Sequence, residues 1–297
     1  MAIPMLTHMD SVRREDLADF IANVDYKNTP FYSGLGKGNT ATQTLHEWAD
    51  DVYAAAADNA IVEAADASAV DHVSPTKRSN TVQMFRKVIN VSDTEKAIST
   101  VMGDTYAYQM KKEGVALARD IELALVKGTR ASGASGTARR LAGVIAQIST
   151  GKTAQTSGTS LTEAKFNDVL QMIFDAGTDE VANEVYVGSY LKRVMSAYTG
   201  GKTGFAKAED KRVWNTVGFY ESDFGAVAIY LNRFVPTAGL LAVRPDYWKI
   251  APLQGRDIKH IPLSKTGSST RGMLEGELTL EGRAEKTSAY SSGYFVG

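Results

Sequence analysis

The stretch SAYTGGKT, Ser196 to Thr203, is one residue short of a phosphate-cradling loop. Such a loop needs glycine, four residues of any type, glycine, lysine, and then serine or threonine. Gly201, Lys202 and Thr203 fit, and Ser196 stands where the first glycine belongs. A working loop would make Lys202 and Thr203 the phosphate-binding pair of a nucleotide hydrolase. It must also leave a strand and enter a helix, so that backbone N–H groups face the phosphates. Here residues 189–198 read as a helix placed before the loop, and GFAKAEDKRVWN behind it opens a helix poorly. AQISTGKT (146–153) misses in the same way, with Ala146 in first place. Both Gly-Lys-Thr triplets therefore read as soluble turns.

HEWAD (46–50) resembles a zinc-protease helix with Asp50 in place of the second histidine. Ligands at i and i+4 share a face only on a helix, and this segment alternates like a strand, which sets His46 and Asp50 about 13 Å apart at roughly 3.3 Å per residue. The other histidines, His8, His72 and His260, are scattered, and no cysteine exists to act as a thiolate ligand, nucleophile or disulfide partner. Asp50–Asp51 and Glu180–Glu184 read as ordinary surface carboxylates. Lys111–Lys112 and Arg139–Arg140 read as solvated faces, with a phosphate contact as the second reading. No Gly-x-Ser-x-Gly elbow is present. The expectation is a protein with no catalytic residue, cofactor or metal.

Of 297 residues, 43% are hydrophobic and 23% charged, the balance of a packed soluble chain. Lys plus Arg is 33 against 34 for Asp plus Glu, a net charge of −1, which is unlike a dedicated nucleic-acid binder and permits self-association. The opening MAIPMLTHMDSVRRED lacks the pattern of a signal peptide, and no apolar run reaches a membrane span, so the expected setting is cytoplasmic, without a membrane.

The positioning elements follow from periodicity. Residues 10–26 read as a short amphipathic helix, ended by Pro30 and the glycines Gly34, Gly36 and Gly38. Residues 40–53 and 77–92 read as strands around an Ala- and Asp-rich segment with little to anchor a core, a long arm that need not pack on its own domain. Ser92 and Glu95 have capping-box spacing, and an apolar stripe from Ile98 to Leu125 predicts one long helix from Ser92 to Lys127, bent at Gly103. Ser160 and Glu163 predict a second capped helix ending near Gly177. A buried strand over 184–188 and the helix 189–198 follow, and from Val213 the chain turns to strands. The class is α+β. Trp214 and Trp248 are expected in the core, and Trp48, on the arm, at an intersubunit contact.

NTPFYSGLGKGNTATQTLHEWADD, followed by RSNTVQMFRKVINVSDTEKA and YQMKKEGVALARDIELALVKG, resembles the major capsid proteins of tailed bacteriophages. The resemblance implies the Hong Kong 97-like fold: an N-terminal arm at 1–35, an extended-loop hairpin at 36–92, a peripheral domain with its spine helix at 93–155, an axial domain at about 156–250, and closing strands at 251–297 that return to the peripheral domain. It implies a major head protein that assembles with itself, as hexamers and pentamers, into an icosahedral shell around double-stranded DNA. Implied partners are a portal, scaffolding or decoration proteins, and packaged DNA held by non-specific inner-surface contact. The setting is the virion, with assembly in the host cytoplasm. The arm begins almost at Met1, without the type member's long scaffolding extension, and no residue pair marks a covalent cross-link.

On this reading Phe31, Trp48, Met84 and Phe85 are expected to be buried only on assembly, and Gly36 and Gly38 to form a hinge that needs unusual backbone freedom. The competing classes are the hydrolase and another lattice-forming surface protein. Calorimetry separates the first: no ATP binding is expected, whereas binding lost in Lys202→Ala would restore the hydrolase.

Overall fold

A computed structural model describes residues 28–64, 66, 74–98, 104–177, 180–198 and 219–297. The helix expected at 10–26, His8, His72, Gly103, Trp214 and the turn at 201–203 lie outside the described residues.

The described chain opens with a short helix α1 (Pro30–Gly34), whose Pro30 costs no hydrogen bond in the first turn. Next come β1 (Gly36–Lys37), β2 (Leu45–Asp50), β3 (Thr76–Thr81) and β4 (Gln83–Ser92). The single helix expected from Ser92 to Lys127 is instead two. Ser92 caps α2 (Asp93–Ala97) by accepting from the Glu95 N–H, but Ile98 is already extended, with φ −87° and ψ 136°. A separate helix α3 (Thr105–Lys127) starts at its own cap, Asp104, which accepts from the Tyr106 and Ala107 N–H groups. Its 23 residues span about 34 Å at 1.5 Å per residue.

The apolar run 141–148 yields one helical turn, α4 (Val144–Gln147), before β5 (Lys152–Thr159). Helix α5 (Glu163–Asp175) is capped by Thr162, which accepts from the Lys165 N–H, and not by Ser160. Glu163 is thereby released from capping and accepts from the Tyr220 hydroxyl at 2.9 Å. Then come β6 (Glu184–Val187) and α6 (Ser189–Tyr198). The rest is strands: β7 (Phe219–Ser222), β8 (Gly225–Leu231), β9 (Leu240–Val243), β10 (Trp248–Pro252), β11 (Lys259–Leu263), β12 (Ser269–Gly282) and β13 (Ala289–Tyr294).

Three sheets result. β2 and β3 pair alone. A five-stranded sheet is built on β12, which pairs antiparallel with β4 along one edge and with β11 and then β10 along the other, while β1 adds in parallel to β10. A six-stranded sheet has the order β5-β13-β9-β6-β8-β7. Its member β13 pairs with β5 and β9 and lies in a different sheet from β12.

The six-stranded sheet separates two cores. Val185 and Val187 face α5 and α6 with Phe166, Leu170, Ile173, Leu191 and Met195. Tyr186, one residue between them, turns the other way and joins the α3 core of Leu117, Ile121, Leu125, Trp248, Leu278 and Leu280. Both faces are covered, so all four residues of β9 are buried and apolar. Trp248 is fully buried and donates its indole N–H to Ser288 Oγ at 2.9 Å, as the core expectation requires.

One carboxylate ties the N-terminal segment to this frame. Glu122 of α3 is fully buried; its Oε1 accepts from the Phe31 N–H (3.0 Å) and Asn232 Nδ2 (2.6 Å), and its Oε2 from the Tyr32 N–H. Burial raises its pKa, and the three donors oppose the rise by favouring the charged form. The site needs an acceptor on both oxygens. Glu122→Gln turns an amide donor on one of these N–H groups, and about 1–3 kcal/mol of stability should be lost. An unchanged denaturation midpoint would show that the carboxylate is not the anchor.

Candidate assembly site

The β2–β3 hairpin is the part of the described chain least supported by its own core. Its register sets Leu45 opposite Thr81 and Asp50 opposite Thr76, so residues 46, 48 and 50 share one face with Arg78 and Asn80. That face leans on the end of β12. Trp48 donates to the Gly282 carbonyl at 2.8 Å, and His46 Nε2 lies 3.4 Å from Glu281. Asp50 accepts from Arg78 at 3.0 Å, with its other oxygen, Oδ1, buried and without a hydrogen bond. Burial raises the Asp50 pKa and Arg78 opposes the rise, so Asp50 is not the ordinary surface carboxylate expected. The opposite face, Leu45, Glu47 and Ala49, is exposed.

The root is fixed by a single amide. Asn80 is fully buried; its Nδ2 donates to the Ala142 and Leu280 carbonyls, and its Oδ1 accepts from the Ala142 and Thr81 N–H groups. All four hydrogen-bonding positions of the side chain are filled. Only Val82, itself buried, separates β3 from β4, so the hairpin leaves the five-stranded sheet at one residue. Beyond Asp50 the support ends. Residues 51–62 are all exposed, and Tyr53 touches nothing that reduces its accessible area.

Below the root, β12 carries two different faces. Leu274, Leu278 and Leu280 pack toward α3. The alternate residues Glu275, Glu277 and Glu281 are buried under cations brought from several segments. Arg86 of β4 and Arg256 bind Glu275; Arg256 and Arg139 bind Glu277, each at 3.0 Å; Arg283 binds Glu281 at 2.9 Å. Arg139 is thus a paired residue and not a solvated one. Glu285 extends the series, accepting from the backbone and hydroxyls of Ser149 and Thr150. Burial pushes the Glu275 and Glu285 carboxyls up, but the hydrogen bonds from Arg86 and Arg256, and from Ser149 and Thr150, bring both below the usual value.

The residues expected to be buried only on assembly divide. Phe31 (0% exposed) and Phe85 (5%) lie in the subunit's own core, Phe31 edge-on to Tyr186, which corrects that expectation for both. Met84 is 41% exposed beside Glu277, and Trp48 is half-buried against its own chain. Gly36 and Gly38 show no unusual backbone conformation in the subunit. Neither has positive φ, β1 is hydrogen-bonded to β10, and Gly38 N–H donates to the Ile250 carbonyl at 2.8 Å. Gly38 is required for closeness: a Cβ there would fall 2.7 Å from Lys249 Cβ. Asn80, Glu122 and the glutamate ladder were missed in the sequence; the one visible signal was the alternation of Glu275, Glu277 and Glu281 along a strand. Ser196 lies within α6 and donates to the Lys192 carbonyl, so a helix does precede the Gly-Lys-Thr triplet in the sequence. Among the described residues no cluster of three or more metal-ligating side chains occurs, and no helix is long and apolar enough to cross a membrane.

The depressed carboxylates give a pH signature. Their stabilisation is complete above the ordinary glutamate pKa of about 4.3 and is lost as pH falls through the lower folded-state values. The melting temperature should therefore fall as pH drops below about 4.3, and less steeply in Glu275→Gln. An identical acid limb in that variant would remove Glu275 from the account.

The SU10 major capsid protein family matches residues 5–294. A curated major capsid protein of Escherichia phage Phieco32 is 32% identical over 132 residues, 43% of this chain, and the match spans 37% of that relative's length. Among solved structures, the capsid of a native GTA particle superimposes with a TM-score of 0.70 at 10% identity, covering 97% of each chain. The Cyanophage A-1(L) capsid gives 0.63 at 13%, covering 98% of each. An encapsulin complex from Synechococcus elongatus PCC 7942 gives 0.59 at 9%, covering 99% of this chain and 97% of that one. The fold is Hong Kong 97-like and α+β. With nearly its whole length matched, the chain belongs to the SU10 major capsid protein family.

Proposed function

We propose that this chain is the head subunit of a tailed phage, assembling with its own copies, as hexamers and pentamers, into an icosahedral shell around double-stranded DNA. The observation that carries the reading is the hairpin: a root locked by Asn80, and beyond it twelve successive residues, 51–62, with no cover from their own chain. A segment bearing exposed Val52, Tyr53, Ile61 and Val62 is stable in water only at a cost that contact with a neighbour removes. The family match supports the reading.

On it, residues 1–35 are the N-terminal arm, 36–92 the extended loop, 93–155 the peripheral domain with α3 as spine, and 156–250 mostly the axial domain, to whose sheet β13 adds. Trp48 and Met84 flank the surface that a neighbour covers. The subunit works without catalysis. A portal closes the shell at one vertex, scaffolding or decoration proteins assist, and DNA meets the inner surface without sequence preference. Assembly takes place in the host cytoplasm.

Electron microscopy of the protein, purified alone and co-expressed with its neighbouring genes, tests this. Closed icosahedral shells are expected. A chain that stays monomeric under every assembly condition would sink the reading, and flat sheets would favour a surface lattice.

A further inference from the structure

Charge is segregated along the hairpin. Residues 50–75 hold six acidic residues, Asp50, Asp51, Asp58, Glu63, Asp66 and Asp71, and no Lys or Arg. Residues 123–162 hold five cations, Lys127, Arg130, Arg139, Arg140 and Lys152, and no acid. A chain of near-zero net charge thus carries two blocks of opposite sign.

The fold sets these blocks at opposite ends of one projection. The cationic block lies at the root. Asn80 binds Ala142, and Arg130 donates to the Ser79 carbonyl and hydroxyl at 3.2 Å. Ala131 pairs with Arg140 across a small turn, which brings the backbone of Arg140 within one residue of Arg130, and both arginines are exposed. Lys127 at the end of α3 is exposed as well. Among the described residues, Lys127, Arg130 and Arg140 make no ion pair, whereas Arg139 is taken by Glu277. The acidic block lies at the tip, where Asp51, Asp58, Glu63 and Asp66 are exposed and equally without ion pairs among the described residues. Arg130 sits at Ser79, opposite Glu47, so the last strand pair at Asp50 lies about 10 Å further out at 3.3 Å per residue, and the acidic residues beyond it make no ion pair with the root among the described residues.

We propose that the acidic hairpin tip of one copy docks on the cationic root, Lys127, Arg130 and Arg140, of the next. The inference rests on the shell reading and names the surface that receives the projection. Where the tip reaches one neighbour and the root receives another, the contact is head-to-tail, and repeated rotation closes a ring. Val52, Tyr53, Ile61 and Val62 lie within the same tip, so apolar cover accompanies the charge match. The attraction is between exposed groups and weakens with salt.

Charge reversal in the full chain tests it, with assembly followed by sedimentation and electron microscopy. Asp51→Lys with Asp58→Lys and Glu63→Lys should cut the assembled fraction about tenfold or more at low salt, and Arg130→Glu with Arg140→Glu should do the same. Uniting all five substitutions in one chain should restore assembly. Arg140→Glu alone serves if Arg130→Glu disturbs the root, and an unchanged melting temperature shows that each subunit is folded. Shells that form as in the wild type after tip reversal, or five substitutions without rescue, overturn the docking and leave the shell reading intact. Salt-sensitive rings without shells sustain the docking and remove the shell reading; a wild type that never self-associates removes both. Root reversal that abolishes duplex DNA binding while assembly is unchanged overturns the docking in favour of a phosphate surface.

Discussion

The Glu122 carboxylate, held by three N–H donors deep in the molecule, is the interaction on which the arrangement turns. It sits on the side of α3 where the two sheets and the N-terminal segment meet. Phe31 and Tyr32 bring the segment, Asn232 brings the end of β8, and α3 supplies the charge. A lone buried carboxylate would be expensive, and a buried helix start with free N–H groups would be expensive too. Each cancels the other here, because the orphan donors of α1 are the partners that the carboxylate requires. Phe31 then has one position available, under Tyr186, and the six-stranded sheet is pinned between its two cores.

β12 solves a related problem with the opposite chemistry on its two faces. Its leucines make the α3 core, and its alternating glutamates gather arginines from β4, the 130–140 turn and the segments beside β10 and β12. Such buried pairs add little net stability once desolvation is counted, but breaking one partner is costly. Their effect is to demand specific neighbours. Arg139 and Arg256 must arrive at Glu277 together, which fixes the turn carrying Arg130 and Arg140 relative to the sheet. The hairpin root is therefore set by a polar network, whose geometry is stricter than that of an apolar contact.

Much of the fold was legible. Alternation revealed the arm strands and the segment without a core, and period and spacing revealed α5, α6 and most of α3. What failed did so for local reasons. The stripe from Ile98 to Leu125 spans a break that Asp104 caps, and periodicity does not register a cap in mid-pattern. Ser160 and Glu163 had capping-box spacing, yet Thr162 was equally able and lay nearer the helix. Gly38 looked like freedom and is proximity, a distinction that depends on Lys249, more than two hundred residues away. Phe31 and Phe85 were assigned to neighbours because their segments looked sparse, whereas α3 and the sheets reach out to cover them. Asn80 and Glu122 left no local trace, since their partners come from distant parts of the chain.

The contrast between root and tip explains how a stable subunit remains competent to assemble. Asn80 places the departure of the hairpin to within a hydrogen-bond length, so its direction is set before any neighbour arrives. The ordering cost of β2 and β3 is met within the subunit, by their mutual pairing and by Trp48 and His46 on the end of β12. Residues 51–62 lack cover from their own chain and have to gain it from outside. With β2 and β3 already paired, the ordering cost of docking falls on the bare residues beyond them rather than on the whole projection. Contacts that are individually weak can then close a large shell while each subunit stays soluble before it joins.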